Sequence, residues 1–354
     1  MSRSQSSPSQ KRPVPKPSQP DLSTILPRWP ISATVISPLQ SSGFSGAELW
    51  KINTSESQPL CLKHYRSGSL TVEQLDGIHR VLIHAFNEGC EFVAKPMRLT
   101  DGFTTVVAGP QNSPTAGLWD LSTWVPGSAV TSFNDAQIKI AFASIARFHK
   151  AAAQVNLAFG PSPNLKQRQA QLAKLVRPES PALDEASDLL KTESIDPSLR
   201  GPLTTIVDLL LRVPQSQIAS LRTRLNEFAT MELPLHPVVR DLRAEHLLFT
   251  DDQLTGLVDF DAMQMDSVAY DLSRLTSSMR LDESQLHLAL ATYHAERPIQ
   301  AAEAKLIQLL TGISRLLAPL SWVNWLVLEQ RSFGNLAAVE KRLKEVAADL
   351  MQHA

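Results

Sequence analysis

The sequence predicts an α+β protein of two lobes, a small antiparallel-sheet lobe followed by a larger and mainly helical one. Three observations predict it. Residues 31–125 read as short apolar runs separated by polar turns, with one helical stretch among them. Val125-Pro126-Gly127 then breaks the chain, because proline fixes φ and glycine frees the next turn. Beyond that break, apolar residues recur at helical spacing almost to the end. The 354 residues suffice for two hydrophobic cores. The expected division is a disordered tail over 1–25, a first lobe over 26–125 and a helical second lobe over 126–354.

In the tail, Ser, Pro and Gln prevail and no apolar run occurs, so it reads as neither secretory signal nor membrane anchor. Glu48-Leu49-Trp50-Lys51-Ile52 and Pro59-Leu60-Cys61-Leu62-Lys63 flank a polar turn and read as a hairpin. Over 71–86, Leu75, Ile78, Leu82 and Ile83 share a helical face, and Thr71 with Gln74 fits a capping box. Strand-like runs follow at 104–107 and 118–124.

The second lobe opens with a helix over 134–153, capped by Asn134, with Ile138, Phe142, Ile145 and His149 on one stripe. Helices are expected near 269–279, 283–294, 301–317 and 335–350. In the last, Leu336, Val339, Leu343, Val346 and Leu350 form a stripe that packs on its own lobe or serves a partner helix. The apolar stretch at 316–328 is broken by Pro319 and Asn324, falls short of the ~20 residues of a bilayer span and reads as a buried core helix.

Composition narrows the function classes. Lys+Arg is 34 against 35 Asp+Glu, a net charge of -1, so no basic excess argues for nucleic acid. Two cysteines, Cys61 and Cys90, fit a reduced cytoplasmic setting.

The chemistry concentrates in Val239-Arg240-Asp241-Leu242-Arg243-Ala244-Glu245-His246-Leu247-Leu248-Phe249 and in Thr255-Gly256-Leu257-Val258-Asp259-Phe260-Asp261. A hairpin turning at Asp251-Asp252 would bring Asp241, His246 and Asp259 towards one end. That layout suits phosphoryl transfer, in which one aspartate takes the proton of a hydroxyl and other groups hold a divalent metal on the phosphates.

Here the sequence resembles the aminoglycoside phosphotransferase and choline-kinase-like branch of the protein-kinase-like fold, whose pattern runs H-G-D-x-x-x-x-N and then I-D-[FW]. The resemblance implies Asp241 as catalytic base and Asp259 as metal ligand. It implies Lys63 on the nucleotide phosphates, beneath a small-residue loop with Gly43, Ser45 and Gly46. Trp124 opens a hinge that would meet adenine. Glu73 and Asp76 are the candidate carboxylate partners of Lys63, and Asp271 would support the catalytic loop. His149 matches a structural position. This sequence has Val239 and Arg240 in place of the pattern's histidine and glycine, and His246 in place of its asparagine. His246 is read either as a ligand for Mn²⁺ or another metal, as a hydrogen-bond partner of Asp241, or as a packed core histidine. Asp261 is read as an outer partner of the metal or as a solvated acid.

The resemblance thus implies a small-molecule kinase using ATP and Mg²⁺, or Mn²⁺, with a hydroxyl-bearing acceptor and without nucleic-acid or membrane partners. A protein partner is not legible. Two other readings stand beside it. One is a non-catalytic nucleotide-binding or regulatory protein. The other is a metal-dependent hydrolase built on His236, Asp241, His246 and Asp259. Acids at 179–196 fit either an acceptor pocket for polyamine sugars or a solvated helical face.

Overall fold

The computed structural model describes residues 22–39, 47–55, 58–66, 68–109, 116–177, 179–192 and 195–353. The first lobe is a five-stranded antiparallel sheet built from β1 (Ala33–Leu39), β2 (Glu48–Thr54), β3 (Leu60–Arg66), β4 (Thr105–Ala108) and β5 (Gly117–Thr123), in the order β1-β2-β3-β5-β4. Helix α1 (Val72–Asn87) follows β3 and starts at the expected capping box of Thr71 and Gln74. Side chains alternate across the strands. Trp50, Ile52, Leu60, Leu62, Trp119 and Leu121 therefore bury one face of the sheet. Cys61, Lys63, Tyr65 and Asp120 stand on the other, which fronts a cleft. Two 3₁₀ turns, Leu22–Thr24 and Leu26–Arg28, seat Ile25, Leu26 and Trp29 in the same core, so packing begins before the expected edge of the tail at residue 25.

The second lobe begins after β5. It contains β6 (Ser128–Ala129), α2 (Asp135–Val155), β7 (Ala158–Gly160), α3 (Asn164–Ala173), α4 (Ala182–Leu190), α5 (Pro197–Arg212) and α6 (Gln215–Glu227). Then come β8 (Leu233–Val238), β9 (Leu247–Thr250), β10 (Gln253–Leu257), β11 (Gln264–Asp266), α7 (Val268–Met279), α8 (Glu283–Glu296), α9 (Ala301–Val323) and α10 (Leu336–His353). The β9–β10 hairpin turns at Asp251, whose φ is 53°, and pairs with β6. Strands β7, β8 and β11 form a second small sheet. Asn134 caps α2 as expected, with Gln137 closing the box. The core of this lobe also takes in Ile78, Val81, Leu82 and Ala85 of α1, which ties the lobes together.

The segment over 301–328 differs from expectation. Pro319 does not end α9, which runs on to Val323 and into a π-helical turn, Asn324–Leu328. Ala301–Leu328 is long and apolar enough to cross a membrane by length and composition, at a mean hydropathy of 1.4, but most of it is buried inside the lobe. The α10 stripe packs on its own lobe. Val339, Leu343 and Leu350 are fully covered, α10 lies against α5 and α9, and Leu336 remains exposed.

Candidate active site

A cleft of about 1050 Å³ lies between the lobes. On the first-lobe side, the period of two along β3 aims Lys63 into it. Lys63 Nζ donates to both oxygens of Asp261, at 2.7 and 2.6 Å. Burial alone would lower the ammonium pKa, but Asp261 and then Asp259 outweigh it and hold Lys63 above its ordinary value. Asp261 is thus not a solvated acid. It is the carboxylate partner of the lysine.

Glu73, expected as a candidate for that role, is exposed in the first turn of α1, where the helix N-terminus favours an acid. It begins the helix too early to reach the cleft. Asp76 is also engaged elsewhere, accepting from Thr105 Oγ1 at 2.8 Å. The α1 residue that joins the polar groups behind the lysine is His79. Its Nε2 lies 2.9 Å from Asp120 Oδ2, and its Nδ1 lies 2.7 Å from Thr104 Oγ1. Tyr65 donates to Asp120 at 3.1 Å and is 3.3 Å from Asp261. Asp120 stands directly opposite Lys63 in the β3–β5 register. A continuous polar chain therefore runs from Thr104 through His79, Asp120 and Tyr65 to Asp261 and Lys63. Asp120 and His79 went unread in the sequence because their signal is spatial; only a strand register and a helix phase bring them together.

On the other wall, β8 ends in a loop held by Asp271. Its two oxygens accept from the backbone N–H groups of Val239 and Arg240, each at 2.7 Å, and Oδ2 lies 3.1 Å from His149 Nε2. This is the support expected of Asp271, and buried His149 is structural. Arg240 sits at φ 65°. That is the left-handed region, which explains the glycine of the resembling pattern and costs a non-glycine residue about 1 kcal/mol. Asp241 follows, with Arg274 of α7 donating to Oδ1 and Arg243 Nε 3.7 Å from the same oxygen. Burial pushes the Asp241 carboxyl up, but Arg274 and then Arg243 outweigh it and hold it below the ordinary carboxylate range.

Asp241, His246 and Asp259 each offer a ligand atom, and these atoms lie within 4.8 Å of one another. The β9–β10 hairpin causes this: His246 precedes β9, Asp259 follows β10, and Val258 N donates to His246 O at 3.1 Å. Asp259 has φ 68°, which turns its carboxylate out of the strand path. His246 Nε2 is 3.5 Å from Asp259 Oδ2, and its buried Nδ1 has no hydrogen-bond partner. Two carboxylates and an imidazole fit a divalent cation of the softer, manganese-like kind at least as well as magnesium. His236, by contrast, stands outside this group. It is fully buried on β8, its Nδ1 on Pro237 O at 2.9 Å, and burial pushes it down to about 3. The hydrolase constellation is therefore not assembled.

Trp124 lines the cleft just past β5, with its backbone N–H donating to Pro59 O at 3.0 Å and the Lys51 ammonium 4.6 Å from its ring centroid. Gly43, Ser45 and Gly46 lie outside the described residues. Among the described residues, none of the acids Glu179, Asp184, Glu185, Asp188 or Asp196 lines the cleft. Asp266 is wholly buried and accepts from Ser162, Asn164 and the Ser267 N–H, while Ser267 caps α7.

Such a cleft, with a strand lysine on one wall and a loop aspartate and a hairpin aspartate on the other, defines a two-lobed kinase-like protein. The model of the phosphotransferase enzyme family matches residues 39–307, and the chain belongs to that family. Solved structures share its fold at low identity. An aminoglycoside phosphotransferase from Alicyclobacillus acidocaldarius is 15% identical, with 97% of this chain and 95% of that one covered and a TM-score of 0.58. A spectinomycin phosphotransferase solved with ADP and spectinomycin is 10% identical, with 93% and 96% covered and a TM-score of 0.64. An amicoumacin kinase solved with AMP-PNP and Ca²⁺ is 15% identical, with 94% and 92% covered and a TM-score of 0.60. No curated protein sequence matches the chain.

Proposed function

We propose that this protein transfers the γ-phosphoryl group of ATP to a hydroxyl of a small molecule. The observation that carries the reading is that Lys63 and the group Asp241, His246 and Asp259 line one cleft from opposite lobes. Family membership and the nucleotide complexes of the structural neighbours support it. Adenine lies against the hinge at Trp124, and Lys63 binds the nucleotide phosphates after exchanging Asp261 for them. Asp241, ionised at neutral pH, orients the acceptor hydroxyl. As the acceptor oxygen bonds to the γ-phosphorus, its proton passes to Asp241, and the β–γ bridging oxygen leaves with its electron pair as ADP. Asp259 and His246 hold a divalent cation, Mg²⁺ or Mn²⁺, which supplies positive charge to the transferring phosphates. Calorimetric titration with ATP and each metal tests the first half of this reading, and label transfer from γ-labelled ATP to hydroxyl compounds tests the second.

A second reading, nucleotide binding without transfer, draws on three contacts. His246 replaces an oxygen ligand, Lys63 is engaged by Asp261, and Asp241 is engaged by Arg274. ATP binding with no transfer to any acceptor selects it.

A further inference from the structure

Beside Asp241, guanidinium groups wall the cleft. Arg168 and Arg274 line it, and Arg240 and Arg274 line an adjoining cavity of about 310 Å³ that also contains Asp241 and Tyr270. Tyr270 has the Arg168 guanidinium 5.0 Å from its ring centroid and that of Arg240 at 5.6 Å. Arg168 is only 8% exposed, yet its side-chain partners are neutral: the Tyr270 hydroxyl at 2.6 Å and Gln171 Oε1 at 3.3 Å. Arg240 likewise bonds to Gln264 and Asn164, both neutral. Arg274 alone of the three contacts a carboxylate, that of Asp241. Two more acids stand behind the cluster. Asp266 is taken up by Ser162, Asn164 and the Ser267 N–H, and Asp271 by two backbone N–H groups and His149. Burial above all, with Arg274 and Arg240 adding to it against Tyr270, lowers the Arg168 guanidinium pKa.

Away from Lys63 and the group at Asp241, the rest of the cleft lining has the same character. Of the acids lining it, Glu245 pairs with Arg243 and Glu345 with Arg342, and Asp349 is likewise engaged. Arg315 also lines the cleft, exposed and without an ion-pair partner among the described residues. A polyamine sugar would meet cations here. Arg240 adds a second argument. It keeps a side chain where φ 65° favours glycine, so a strained backbone position carries a guanidinium into the wall of the small cavity that Asp241 also lines.

We infer that Arg168, Arg240 and Arg274 form a subsite for an anionic group of the acceptor, a carboxylate or a phosphate, which sets the acceptor hydroxyl against Asp241. The inference rests on the proposed phosphotransferase reading and names its substrate class. Guanidinium forks match the two-oxygen face of either anion.

A matched panel tests it. Glycerol, glycerate, glycerol 3-phosphate and 3-amino-1,2-propanediol share one hydroxyl-bearing frame, as do glucose, gluconate, glucose 6-phosphate and glucosamine. Binding of each is measured by calorimetry on the full chain, with and without saturating ADP. The anions are expected to bind more tightly than their neutral and cationic counterparts, and the carboxylate and phosphate arms tell the two sources apart. Arg240→Gly relieves the backbone and removes the guanidinium, so it is expected to weaken anion binding by at least about tenfold with ADP affinity and melting temperature preserved. Arg168→Gln is the second variant, with the same expectation for anions and ADP. Equal or tighter binding of the amines, no anion binding, or anion binding that survives both substitutions overturns the inference. Loss of ADP binding in the parent protein strikes instead at the phosphotransferase reading, because anion selectivity is read separately without nucleotide.

Discussion

Lys63 and Asp261, 198 residues apart in the chain, meet across the cleft with both carboxylate oxygens within 2.7 Å of the ammonium. The contact joins the lysine strand of one lobe to the segment that carries Asp259 in the other. It also moves the lysine's partner from the helix, where Glu73 and Asp76 were expected, to a loop two residues past Asp259. Asp120, His79 and Tyr65 hold the contact from behind. On the proposed reading, a bound nucleotide competes with Asp261 for the lysine.

Lys63→Ala is expected to weaken ATP binding while the fold persists. A charge-assisted contact to phosphate is typically worth about 1.5–3 kcal/mol, and exchange with Asp261 places the result near the lower end. Glu73→Ala, at an exposed helix start, should leave ATP affinity unchanged. Calorimetric titration of both variants with ATP checks the pair. Unchanged affinity in Lys63→Ala, or a loss in Glu73→Ala, would reverse the assignment.

His246→Asn should shift metal preference from Mn²⁺ towards Mg²⁺, since a carbonyl oxygen replaces an imidazole nitrogen. The melting temperature should change little, because Nδ1 has no partner to lose and Nε2 makes only the 3.5 Å contact with Asp259. Metal titrations and thermal melts on this variant decide the matter. A lower melting temperature with unchanged metal preference would mean that His246 is a packing residue.

Acid should destabilise the fold through His236. Burial, with His149 beside it, lowers its pKa from 6.5 to about 3. Below pH 6.5 the unfolded chain takes up a proton that the folded chain refuses. The contribution is thus complete above pH 6.5 and is lost as pH falls towards 3, at about 1.4 kcal/mol per pH unit. His149 is lowered too, so it adds to the same trend. His236→Asn should make the drop in unfolding free energy between pH 7 and pH 5 smaller by about 2 kcal/mol in urea titrations. An unchanged drop would show that His236 titrates normally.

The sequence made some of this legible and hid the rest for physical reasons. Local signals held up: the capping boxes at Thr71 and Asn134, the hairpin between Asp241 and Asp259, and Asp271 as support of the loop. Each depends on residues close in sequence or on a spaced motif. Pro319 misled because the long apolar α9 is enclosed by its own lobe, and packing there outweighs a lost backbone hydrogen bond. The lysine's partner was hidden because a lobe-to-lobe contact leaves no periodic trace. The guanidinium cluster was hidden too, since Arg168, Arg240 and Arg274 come from a helix, a loop and another helix.

The most direct test of the central claim is label transfer from γ-labelled ATP to hydroxyl compounds, comparing the parent protein with Asp241→Asn. The account predicts a labelled product with the parent protein. In the variant, turnover should fall by about 10²-fold or more with ATP affinity and melting temperature preserved, because the group that takes the hydroxyl proton is gone. Near-normal transfer by Asp241→Asn, or a parent protein that binds ATP yet labels no acceptor, would contradict it.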